Sequence, residues 1–181
     1  MPGQTPQGAF DTYADPLKAV FGCITRQPLR REILKNRRNT AGIPLEHFFF
    51  ANAPVRLKAA DRNYALIFDQ FYRVLLMPDE TYRVKTQSYT YEIEDEATRH
   101  ELFAFHWEPH SAIAFPHLHI GFGLRGHDLP IDNKAHIPSG RVALEDVVLF
   151  AIRELKVKSL RVDWEEIIGR ARERFFEHRS W

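Results

Sequence analysis

Phe115 to Gly123 reads FPHLHIGFG, an apolar run with two histidines two residues apart. On a β-strand such side chains leave the same face, with Cα atoms about 6.5–7 Å apart. His117 and His119 are therefore aimed together, while Leu118, Ile120 and Phe122 take the other face. Upstream, ELFAFHWE sets Leu102, Ala104, His106 and Glu108 in alternation with Phe103, Phe105 and Trp107. If the two runs pair antiparallel, His106 and Glu108 join His117 and His119, and the aromatic side chains join Leu118 and Ile120. The outcome hangs on register, because a slip of one residue exchanges the two faces. Seven of the nine histidines crowd into the same region, as His100, His106, His110, His117, His119, His127 and His136.

Three chemistries are open to such a cluster. Neutral imidazoles of His106, His117 and His119 suit zinc, iron, nickel or manganese, with a carboxylate or water completing the shell. Without metal, a pair of imidazoles can divide proton removal from proton donation near neutral pH, with Arg125 or Arg141 holding an anionic oxygen. The third reading is packing, the default for any single histidine of a sheet. No cofactor is firmly implied, and a divalent transition metal is the one candidate. HIPSGR, residues 136–141, adds a weak anion signal at a helix entry, where an ordinary cap is the commoner meaning.

The elements that must position these residues follow from patterning. NYALIFDQFYRVLL, TYRVKTQSYTYEI, ELFAFHWE and FPHLHIGFG are aromatic and β-branched runs separated by polar turns, which predicts an antiparallel meander. Helix is the alternative for Tyr64 to Leu76, and His47 to Asn52 reads as a further strand. Leu144, Val147, Val148, Ala151, Ile152 and Leu155 then form one helical stripe. Asp163 with Glu166 is the capping pattern for a second helix, whose stripe is Trp164, Ile167, Ile168, Ala171 and Phe175. The predicted fold is α+β: a curved antiparallel sheet of four to six strands with two C-terminal helices on its aromatic face and an N-terminal helical arm. One domain is expected, with a flexible tail over 1–13, a basic helical arm over 14–43, the sheet over 44–123 and the helical cover over 136–181. Tyr89, Tyr91, His106, His117 and His119 are expected on the open face.

Composition narrows the classes. The chain has 181 residues, 44% hydrophobic and 27% charged, which fits a packed globular protein and excludes a disordered one. A lone cysteine, Cys23, excludes an internal disulfide and a thiolate zinc cluster, so a reducing, cytoplasmic setting is expected. No run approaches the ~20 apolar residues of a membrane span and the N-terminus lacks a signal-peptide pattern, so no membrane partner is expected. Net charge is only +1. Yet Arg30, Arg31, Lys35, Arg37 and Arg38 make a local basic run suited to phosphate backbones, against the commoner reading of a solvated face.

The order YTYEI, LFAFHWEPH and FPHLHIG, within Tyr82 to Gly121, resembles the central region of the small bacterial TumE-type toxins of toxin–antitoxin systems. The longer pattern FPHLHI, HIPSGRVALEDVVLFAI and a closing RSW resembles an uncharacterised bacterial family of about this length. The resemblance implies a shared β-sheet core bearing histidines and a toxin or defence setting, with RNA and an antitoxin protein as candidate partners. The leading expectation is an RNA-directed phosphodiesterase. One of His117 or His119 takes a 2′-OH proton, another imidazole protonates the leaving oxygen, and Arg125 or Arg141 offsets phosphate charge. The alternatives are a non-catalytic module binding protein or nucleic acid, and a His-ligated metal-dependent hydrolase.

Overall fold

The computed structural model describes residues 2–121 and 135–178. Chain order is β1 (Pro2–Gly3), α1 (Pro6–Phe21), β2 (Leu29–Arg38), β3 (Pro44–Phe50), β4 (Val55–Lys58), β5 (Asn63–Leu76) and β6 (Tyr82–Asp95). It continues with β7 (Glu101–Trp107), β8 (His117–Ile120), β9 (Ile137–Pro138), α2 (Leu144–Arg153) and α3 (Trp164–His178). The strands form one open sheet in the order β2-β3-β5-β6-β7-β8-β9, with β1 pairing to β6 and β4 to β5. The α+β class is as expected. Among the described residues nine strands replace four to six, and there are three helices where two C-terminal ones are expected as the cover.

β5 shows why the middle of the chain is sheet. Tyr64, Leu66, Phe68, Gln70, Tyr72 and Val74 are buried while Ile67, Asp69, Phe71 and Arg73 are half-buried, a period of two that no helix can match. The helical alternative for Tyr64 to Leu76 is thereby removed. The buried face meets α1, where Phe21 packs edge-on to Phe50 and Phe68 at 4.6 and 4.9 Å and Phe10 stacks on Tyr72 at 5.5 Å.

Two N-terminal expectations are corrected. Of the tail expected over 1–13, the described residues 2–13 are ordered into β1 and the start of α1: Thr5 caps α1 by accepting from the Gly8 amide at 3.0 Å, and Ala9, Phe10, Ala14, Leu17, Val20 and Phe21 form its buried stripe. The helix thus starts at Pro6, and Pro16 lies inside it. The basic segment is no helical arm but the edge strand β2, antiparallel to β3. Its two-residue period was hidden because the inward residue is Arg31, whose guanidinium meets the buried Glu46 carboxylate at 2.5 Å. Tyr72 donates its hydroxyl to the same carboxylate at 3.0 Å.

The C-terminal helices follow the predicted stripes. Leu144, Val147, Val148, Ala151 and Ile152 of α2 are buried, as are Ile168 and Ala171 of α3, and Phe150 packs edge-on to Phe103 at 5.1 Å. The Asp163 carboxylate accepts two bonds from Arg161, at 2.9 and 2.8 Å, in place of the expected cap. Tyr89 and Tyr91 are also corrected. They pair across the sheet with Trp107 and Phe105 and so belong to the helix-covered face, where Tyr91 stacks on Phe68 at 5.5 Å. Among the described residues no helix is long and apolar enough to cross a membrane.

Candidate functional site

Register decides what the uncovered face carries. His106 lies opposite His117, and Ala104 opposite His119. Thr90 lies opposite His106 and Asp69 opposite Thr90, so Asp69, Thr90, His106 and His117 form one rung across four strands. Gly121 permits the close approach of β8 to β7, since a Cβ there would fall 1.9 Å from the Glu101 carbonyl oxygen. Ala104, fully buried, is the small residue opposite His119, whose ring stands 4.8 Å from that of its diagonal neighbour His106.

The expected trio therefore converges. Ring centroids of His106 and His119 stand 4.8 Å apart, those of His117 and His119 4.9 Å, and those of His106 and His117 5.7 Å. One ring nitrogen from each lies within 4.8 Å of the others. A triangle of that side has its centre roughly 2.8 Å from each corner, against about 2.0–2.1 Å for a zinc–imidazole bond, so the rings would have to close slightly to ligate an ion.

Their protonation is set by the surroundings. His117 is only 5% exposed, which corrects its expected place on an open surface. Its Nδ1 lies 2.8 Å from the Phe115 carbonyl oxygen, which only accepts, so Nδ1 carries the proton and Nε2 the lone pair. Nε2 of His106 and Nε2 of His119 are buried without a hydrogen-bond partner. Burial first, then the neighbouring imidazoles, push His106 down to about 4 and lower His119 as well. Neutral imidazole is the form that binds metal. The donors fit a borderline-soft divalent ion such as zinc, iron or nickel.

His136, counted in the cluster but assigned no role from sequence, is the fourth member. Its ring stands edge-on to His117 and His119 at 4.8 and 4.7 Å. Pairing of β9 with β8 brings it there, a signal invisible in a two-residue strand. The cluster opens into a pocket of about 340 Å³ whose lining includes Phe71, Ser88, Thr90, Ser111, Glu108 and Arg37. The β7–β8 loop forms one wall, with Ser111 turned back by its amide bond to the Glu108 carbonyl at 3.1 Å.

Other candidates fall elsewhere. The Arg141 guanidinium lies 3.5 Å from the centroid of Trp107, which alternates with His106 and so belongs to the opposite face. Arg125, Phe122 and His127 lie outside the described residues. HIPSGR supplies β9 and not the helix cap, since Ala143 holds the N-cap position of α2, without a side-chain cap bond. Of the basic run, Arg31 is engaged with Glu46, and Arg38 bonds the carbonyls of Lys35 and Gly42. Arg30, Lys35 and Arg37 are exposed.

Comparison with protein-family models, curated proteins and solved structures found no match. Residue roles therefore rest on the geometry.

Proposed function

We propose that the protein is a divalent-metal-dependent hydrolase whose ion is held by His106, His117 and His119. The observations that support this reading are the buried, unpartnered Nε2 atoms of His106 and His119, and the approach of one ring nitrogen from each of His106, His117 and His119 to within 4.8 Å of the others. Each buried polar atom left unpaired costs about 1–3 kcal/mol, and a shared cation satisfies both. Imidazole ligands carry no charge when they bind metal, so an ion held by His106, His117 and His119 would keep its full charge and would supply Lewis acidity at the pocket. The chain supplies the rest. Phe115 fixes the His117 tautomer, the strand pair fixes the spacing, and His136 stands edge-on to His117 and His119 in the pocket lining.

The metal-free acid–base reading, and with it the RNA-directed phosphodiesterase of a toxin, asks for an imidazole that charges near neutral pH. Desolvation opposes that at His106. The test is elemental analysis of untagged protein after zinc or cobalt loading, paired with hydrolysis of activated ester and phosphodiester substrates with and without chelator. One metal per chain and chelator-sensitive turnover are expected. A chain that retains no metal, or that hydrolyses equally well with chelator, refutes the proposal.

A further inference from the structure

The pocket has a cation facing it that the histidine site does not use. Arg37 lines the pocket from β2, beyond β3, β5 and β6 from the histidines. It gets there through an irregularity: Leu34 pairs with Leu45 and Arg38 with Pro44, so Lys35, Asn36 and Arg37 bulge out unmatched. Bulges re-aim side chains beside functional sites. This one is clamped on both sides. Arg38 bonds the Lys35 carbonyl at 3.1 Å, and Arg73 donates to the Arg37 carbonyl at 3.3 Å and to that of Ile43. Three guanidiniums thus gather where Arg37 turns, and among the described residues no carboxylate forms an ion pair with Arg37 or Arg73. A guanidinium in that position matches a phosphate in a two-point fork. Ser88 and Thr90 belong to the same lining.

We infer that the pocket takes a phosphoester, whose phosphate is held by Arg37 while its phosphorus faces the three histidines. This deepens the metal-dependent reading and rests on it. In the reaction water forms the new P–O bond and the bond to the leaving alcohol breaks. Of the two water protons, one ends on the leaving alcohol and the other stays with the phosphate. Arg37 binds substrate and product alike.

The experiment uses the full chain loaded with cobalt(II), followed by its visible spectrum during titration with inorganic phosphate. Wild type is expected to show a saturable spectral change. Arg37→Ala should weaken phosphate roughly tenfold or more and Arg37→Lys should recover part of the loss, both with unchanged cobalt affinity, while Arg30→Ala matches wild type. Unchanged phosphate affinity in Arg37→Ala with an intact cobalt spectrum overturns the role of Arg37 and leaves the metal centre standing. A wild-type chain that gives no cobalt spectrum overturns both.

Discussion

His117 donates from Nδ1 to the carbonyl oxygen of Phe115, 2.8 Å away and two residues earlier in the chain. A tautomer fixed by a backbone carbonyl is the usual outer support of a metal-binding imidazole. His117→Gln should weaken zinc by roughly 100-fold or more, beyond the 10–100-fold typical of losing an outer-shell partner. Competition against a chromophoric chelator measures it. Because His117 is buried, the variant should also lose about 1–3 kcal/mol of stability in urea. Wild-type zinc affinity in this variant would remove His117 from the ligand set.

His106 sets one pH dependence. Its folded value, about 4, lies below the ordinary 6.5, so unfolding takes up a proton between those limits. The metal-free protein should hold this contribution above pH 6.5 and lose it as pH falls toward 4. His106→Gln should flatten that part of the profile. Urea midpoints at several pH values from 4 to 7 check it, and parallel curves for wild type and variant would count against it.

Glu145 sets the opposite one. It is 3% exposed in the first turn of α2, and burial lifts its carboxyl to about 7. A carboxyl whose folded value exceeds the ordinary 4.5 stabilises below pH 4.5, and that contribution is lost as pH rises through 7. Glu145→Gln, which keeps the shape and cannot ionise, should exceed wild type by up to about 3 kcal/mol at pH 8 and by little at pH 4. Calorimetric melting at the two pH values decides. A difference independent of pH would refute it.

Arg31 and Arg30 are neighbours with different fates. Arg31→Glu sets two carboxylates together beside Tyr72 and should cost about 3–5 kcal/mol. Arg30→Glu, on an exposed side chain, should stay within about 0.5 kcal/mol. Equal losses in chemical denaturation would contradict the buried role of Arg31.

How far these relationships were legible differs from residue to residue. Alternation in ELFAFHWE and FPHLHIGFG was enough to put His106, His117 and His119 on one face if the strands pair, but not to set His106 opposite His117, because period two fixes the face and leaves the register open. The same rule misplaced Tyr89 and Tyr91. Their face is set by pairing with Trp107 and Phe105, and an aromatic with a hydroxyl reads equally well on either side. β2 was hidden because its inward side chain is an arginine whose acceptor lies fifteen residues away. His136 and Arg37 could not be seen at all. One depends on a two-residue strand, the other on a bulge.

That bulge has a consequence beyond the pocket. β2 ends the strand order, so one side of its backbone meets no partner in this sheet. A long flat border of that kind invites a strand from another molecule. Three unmatched residues break its straight line, and the exposed Arg30, Lys35, Arg37 and Arg38 repel a second copy of themselves. The feature that places Arg37 on the pocket's rim thus also discourages the protein from self-assembling edge to edge.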